Sequence, residues 1–188
     1  MLCTVGFCSI LYTVPNYLIM GNATINQAKY ENAILYFVQH CNNQYLGATK
    51  LNKLLYYLDF LNYRDRGKSV TGDEYYHMQY GPIPSSVETV MSALCESEKI
   101  KVTGEPFKET MRKIYKAEEK PDVTVFSKEE QELLVAICKE FKECSIDTIV
   151  AQTHLEAPWF YSMPHDKIDY EYAHSIEVLD GDEDDYFS

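Results

Sequence analysis

The sequence predicts a mainly α-helical (α+β) domain: a compact helical body with a small β-hairpin and a winged-helix-like order in its middle. Three observations point there. Apolar side chains recur at three- and four-residue steps from Tyr30 to Leu61, as in helices with one buried face. Two Ser-x-x-Glu boxes, Ser85 with Glu88 and Ser127 with Glu130, precede further apolar runs and mark helix starts. Two short strand candidates, 99–103 and 111–117, have Gly104 and Pro106 between them, which reads as a hairpin with a loop of several residues. At 188 residues, 46% of them apolar, the chain suits one domain with a real core.

Residues 1–24 read as an N-terminal extension. The first 19 carry no charged side chain, and Pro15 interrupts them. A signal peptide wants a basic start, and a membrane span a longer unbroken run. The reading taken first is that Met20 is the start, with a packed N-terminal element next and a membrane anchor last. The domain proper is placed at 25–176. Its first helix starts near Asn26, with Tyr30, Ala33, Ile34, Phe37, Val38 and Cys41 on one face. Gly47 breaks the chain, and Thr49 is placed to cap a second helix. Leu51, Leu54, Leu55, Leu58 and Leu61 form a leucine stripe there, flanked by Tyr56, Tyr57 and Phe60. Gly67 supplies the left-handed cap.

After a turn at Gly72, residues 70–80 alternate loosely and read as an extended, tyrosine-rich segment. Gly81-Pro82-Ile83-Pro84 follows, where two prolines argue against both a helix interior and a central strand. A helix over 86–97 turns Val87, Val90, Met91 and Leu94 inward, and the hairpin comes next. Ser127 opens a helix with Leu133, Leu134, Ile137 and Phe141, and Ser145 opens another with Ile146, Ile149 and Val150. Residues 154–160 form a distinct loop or helix end. Residues 177–188 are an acidic C-terminal tail with six acids and no base.

Composition narrows the function classes. The net charge of −12, from 17 basic and 29 acidic residues, repels phosphate backbones and favours basic protein partners; solubility alone also accounts for it. The six cysteines form no CxxC pair, and Cys138, Cys144, His154 and His165 fit no common zinc spacing, so neither a metal nor another cofactor is expected. Cys41, Cys95 and Cys138 read as small buried side chains in a reducing, cytoplasmic setting. Glycine-rich nucleotide loops, a GxSxG elbow and an HExxH helix are all missing. His77 with Asp73 is the one imaginable base, and a lone histidine among tyrosines reads better as a hydrogen-bonded residue. An enzyme is therefore not expected. The helix 86–97 and the hairpin, locally basic over 99–120, raise a DNA-binding regulator as an alternative. Helix 86–97 itself offers no lysine or arginine to base edges, so a solvated hairpin is preferred and nucleic acid is not an expected partner.

The stretch 50–84 resembles the Panacea domain of SocA-like, phage-associated antitoxins. The family's Lys-Leu-x-Lys-Leu-Leu-Tyr helix corresponds to Lys50, Leu51, Lys53, Leu54, Leu55 and Tyr56. Its glycine beyond that helix is Gly67, and its Thr-Gly-Asp turn is Thr71-Gly72-Asp73. Its Tyr-Gly-Pro-x-Pro segment is Tyr80-Gly81-Pro82-Ile83-Pro84, and its downstream His and Trp look like His154 and Trp159. The similarity extends over about 25–165. The N-terminal extension and the acidic tail are departures from the family pattern.

The resemblance implies a non-catalytic antitoxin that neutralises a cognate protein toxin, encoded next to it, by direct contact. Family members pair with many unrelated toxins, including alarmone-synthetase-like ones, and one acts as an adaptor that hands its toxin to an ATP-dependent protease. On the residues, Tyr75, Tyr76, Tyr80 and the turn Gly81, Pro82, Ile83, Pro84 are the expected partner contacts. Fixed proline dihedrals lower the ordering cost, and tyrosines bring large area with few rotors. A rigid connector that merely orients the following helix explains the Gly-Pro-x-Pro turn equally well. Lys50, Leu51, Leu54, Leu55, Tyr56, Gly72, His154 and Trp159 are expected to be structural.

Overall fold

A computed structural model describes residues 24–41, 46–107 and 110–179. It is mainly helical with two small antiparallel hairpins, as expected for the fold class, with one hairpin more than the sequence suggested. Helix α1 spans Gln27–His40 and α2 Ala48–Arg66. Strands β1 (Tyr75–Met78) and β2 (Gly81–Pro84) form the first hairpin. Helix α3 (Val87–Glu96) leads into β3 (Ile100–Phe107) and β4 (Thr110–Ala117). Helices α4 (Lys128–Phe141), α5 (Ile146–Leu155) and the single turn α6 (Ala157–Phe160) follow. Short 3₁₀ segments lie at Val123–Val125 and Tyr170–Ser175.

The core is built around α2. The leucine stripe is buried, and so is nearly the whole circumference, from Lys50 to Asn62 with only Asn52 partly exposed. A helix buried all round is ordinarily apolar throughout. This one carries Lys50, Lys53, Asp59 and Asn62 inside, and each is tied by hydrogen bonds to a surrounding segment, as buried polar groups require. Lys50 donates to the carbonyls of Lys142 and Cys144, both at 2.7 Å, and so holds the α4–α5 connection. Asn62 donates to Lys68 O at 2.8 Å. Asp59 accepts from the amides of Val70 and Thr71, the Thr71 hydroxyl and the Tyr75 hydroxyl. Helices α1, α4 and α5, β2 and the 3₁₀ segment at Tyr170–Ser175 all pack on α2.

Capping confirms several expected boundaries and corrects others. Asn26 accepts from Lys29 N, and Gly67 ends α2 at φ +67° with its amide on Tyr63 O. Ser127 and Glu130 form the expected capping box, and Ser145 caps α5. Thr49 does not cap α2: the N-cap is Gly47, and Thr49 lies inside the first turn. The Ser85–Glu88 box does not form either. Ser86 is the N-cap of α3 without a side-chain cap of its own. Asp73 takes that part from a distant turn, accepting from Ser86 N at 2.9 Å and from the Ser85 hydroxyl at 2.6 Å. A carboxylate meets the free amides of a helix start better than a hydroxyl does.

The order helix then hairpin is present in α3, β3 and β4, but the strands run through Gly104 and Pro106, which pair with Lys113 and Met111. A two-stranded ribbon leaves outward amides unpaired, so proline costs it nothing there. Cys41 and Cys138 are buried in the core with their sulfurs 2.6 Å apart, and Cys95 is half-buried. Among the described residues, no helix is long and apolar enough to cross a membrane. The expectations for residues 1–23 and for the tail beyond residue 179 lie outside the described residues.

Candidate functional site

The segment read as extended tyrosines followed by a proline connector is a hairpin. Tyr75 pairs with Pro84 and Met78 with Gly81, leaving Gln79 and Tyr80 at the tip. Prolines fit because β2 is an edge strand, paired only with β1. The other side of β1 is covered by residues 165–168: His77 N donates to Asp166 O, His165 N to His77 O and Ile168 N to Tyr75 O, at 2.7–2.9 Å.

Gly81 lets this hairpin lie on the core. Its φ is +90°, and a Cβ there would sit 2.7 Å from Thr153 Oγ1 and 2.8 Å from Lys53 Cε. Lys53 donates to Pro82 O at 2.7 Å. Burial pushes its ammonium down to about 7, because an ion loses hydration there with no opposite charge in return. One turn further along α2, Tyr56 and Tyr57 both donate to the Glu156 carboxyl at 3.0 Å. Burial raises Glu156 to about 7, against the pull of those two hydroxyls. Gly72 also matters for close approach: at φ +77°, a Cβ would meet Thr24 O at 2.5 Å.

Beyond Glu156, the Trp159 indole lies between two imidazoles. His77 stacks on it at 4.2 Å and His154 at 3.9 Å between ring centroids. Trp159 Nε1 donates to Met78 O at 3.2 Å, which fastens the hairpin to α6. Ser162 Oγ donates to Trp159 O, so the 2.9 Å contact to His77 Nδ1 has the ring as donor. Nε2 of His154 is buried with no hydrogen-bond partner among the described residues. Burial lowers both imidazoles, because it disfavours the charged form of each ring. His154 and Trp159 thus join α5, α6 and the hairpin.

Several expected contact residues are internal. Tyr75 is fully buried with its hydroxyl on Asp59 at 2.8 Å, because position 75 faces α2 rather than solvent. Gly81, Pro82 and Pro84 are buried by the same docking onto α2 and α5. Tyr76 and Ile83 are half-buried, and Tyr80 at the tip is 53% exposed. Of the family-motif residues, Lys50, Leu51, Leu54, Leu55 and Tyr56 are buried. The imagined His77–Asp73 dyad does not form. Asp73 accepts from Tyr30, Ser85 and Ser86, while His77 faces Ser162 and Trp159. Among the described residues, no three His, Cys, Asp or Glu side chains converge to hold a metal.

The same end of the molecule carries an apolar surface that the pattern of sequence did not single out. Leu155 is 83% exposed, Phe160 64%, Tyr161 66%, Met163 67% and Tyr172 38%. Phe160 meets Tyr161 edge-on at 5.2 Å, and Tyr161 lies 5.9 Å from Tyr172. The signal was present in the run Trp-Phe-Tyr-Ser-Met at 159–163, apolar residues where helical periodicity had already ended.

A family model described as the antitoxin SocA-like Panacea domain matches residues 51–160, more than half of the chain. The match runs from the second residue of the leucine helix motif to the end of α6, and so takes in the Lys53 contact, the hairpin and the Trp159 stack. No curated protein and no solved structure matches the chain.

Proposed function

Because the chain belongs to the antitoxin SocA-like, Panacea-domain family, we propose that it neutralises a protein toxin by binding it directly. The family match carries this reading. The toxin is a cytoplasmic protein encoded beside this chain, and the chain acts as a binding partner rather than an enzyme. Its net charge of −12 favours a basic toxin face and speeds encounter with it. A regulator that reads DNA is less well supported. The exposed positions of α3 include Glu88 and Glu96 and no base, which suits neither phosphates nor base edges.

Co-expression tests the proposal. Each neighbouring gene is expressed alone and with this chain, while growth, toxin level and co-purification are scored together. The expected result is toxicity from one neighbour, relieved by this chain, with a stable complex and an unchanged toxin level. Relief accompanied by disappearance of the toxin points to delivery to a protease. If no neighbour is toxic, or relief occurs without association, the proposal is wrong.

A further inference from the structure

Among the described residues, nine large apolar side chains stand exposed, and five of them lie between Leu155 and Tyr172. Much of the exposed apolar surface of the described residues is thus gathered in one short segment. Phe160, Tyr161 and Tyr172 are joined by ring contacts, and Met163 follows two residues after Tyr161. Their combined exposure is on the order of the few hundred Å² at which an apolar patch on a monomer marks a contact surface. Tyrosine, phenylalanine and methionine are the side chains that anchor protein interfaces, through large area, few rotors and a deformable thioether.

The exposed charges on the segment that carries the patch are mostly acidic. Asp166, Asp169, Glu171 and Glu177 are all exposed. Lys167, the one lysine of that segment, is paired with Glu74 at 2.6 Å. Acidic charge on the same segment as an apolar centre disfavours three occupants. One is a second copy docking through the same face, which would set acid against acid. Another is the chain's own acidic segment beyond residue 179, and the third is an anionic membrane surface. It suits a protein face with an apolar centre and a basic rim.

We infer that Phe160, Tyr161, Met163 and Tyr172, with the exposed acids Asp166 and Glu177 on the same segment, form the docking face for a basic-rimmed toxin surface. The inference rests on the antitoxin reading and deepens it by placing the contact. The stack His77–Trp159–His154 then holds the face in position, since Trp159 immediately precedes Phe160 and is fixed to Met78 O and both imidazoles. Phe160 and Tyr161 lie at the end of α6, directly after the anchored Trp159, and a contact held in place beforehand lowers the ordering cost of binding.

The experiment uses the full chain and the neighbouring gene product whose toxicity it relieves. Affinity is measured for the wild type, Phe160→Ala/Tyr161→Ala, Asp166→Lys/Glu177→Lys, and Val135→Ser as a control on α4, where Val135 is 57% exposed. Thermal melting checks each fold, and elution volume checks oligomeric state. The aromatic double variant is expected to bind at least tenfold more weakly and to lose rescue while melting as the wild type does. The charge-reversal variant is expected to associate several-fold more slowly at low salt, with the difference shrinking as salt rises. The control should bind normally. Rescue and affinity untouched in both double variants would overturn the docking face while leaving the antitoxin reading intact. A wild type that dimerises through this face, and is made monomeric by Phe160→Ala/Tyr161→Ala, would overturn it in favour of a second copy. A wild type that relieves no toxicity would overturn the underlying reading itself.

Discussion

The Lys53 amine donates to the Pro82 carbonyl at 2.7 Å, from inside the protein. Two pieces of the family motif, 29 residues apart, therefore meet across the core. Lys53 is one of the buried polar residues of the leucine helix, and Pro82 sits in the Gly-Pro-x-Pro strand. Gly81 beside it has no Cβ, and a Cβ would collide with Lys53 and Thr153. The lysine, the glycine and the first proline are one mechanical unit that seats the hairpin.

That unit makes stability depend on pH. Burial lowers Lys53 from 10.5 to about 7. Between those values the unfolded chain holds a proton on this amine and the folded chain does not, so stability rises with pH, by at most about 1.4 kcal/mol per pH unit. Below about pH 7 the fold bears a buried ammonium in full. Lys53→Met loses the hydrogen bond at every pH but escapes the charge cost at low pH. Urea denaturation of both proteins at pH 6 and pH 9 should show the substitution costing more at pH 9. An equal cost at the two pH values would show that the amine is not desolvated.

Glu156 acts in a lower window. Its carboxyl is raised from 4.5 to about 7 by burial. The folded chain keeps the proton where the unfolded chain has released it, so this contribution is complete below pH 4.5 and is lost as pH rises through about 7. Asp59, raised to about 6, works in the same direction, so the slope will not vanish when Glu156 alone is changed. Glu156→Gln stays neutral throughout. Relative to wild type, the variant should gain stability steadily from pH 4.5 to pH 8 in thermal melts, and a constant offset would contradict the assignment.

The leucine stripe allows the plainest measurement. Leu55 and Leu58 are fully buried in α2, and truncating either to Ala removes apolar contact and leaves a cavity. Each is expected to cost about 2–5 kcal/mol in urea denaturation. A cost below about 1 kcal/mol would mean that the surrounding helices collapse into the space.

Much of the helical frame was legible in the sequence because its signals are local. The periodic faces of α1 and α2, Gly67, the Ser127–Glu130 box and Ser145 each depend on residues within one or two turns. The errors arose where a distant group replaced a local one. Ser85 and Glu88 have the spacing of a capping box, yet Asp73 reaches the start of α3 first. The prolines of β2 argued against a central strand, and the segment read as a turn is an edge strand, which needs few of its amides. Tyr75 looked like a contact residue because alternation cannot say which face of an isolated hairpin meets the core. The exposed face at 160–172 escaped notice for another reason: aromatic residues in a segment without periodicity resemble core until their exposure is known.

Tyr80 separates the hairpin from the aromatic face as the contact. It is 53% exposed at the hairpin tip, so Tyr80→Ala should change the melting temperature by no more than about 1–2 °C, in keeping with the small cost of surface substitutions. Tyr75→Ala should instead destabilise by about 3–5 kcal/mol, because its ring packs against Tyr56, Phe60 and Tyr170 and its hydroxyl reaches Asp59. If the tip touches the toxin, Tyr80→Ala weakens the complex while the fold stays intact, and calorimetric titration will show it. Full affinity in Tyr80→Ala, set beside a loss in Phe160→Ala/Tyr161→Ala, would leave the Gly-Pro-x-Pro strand with the one task its buried contacts already describe. It would hold β1, Trp159 and α6 in register so that the aromatic face is presented ready-formed.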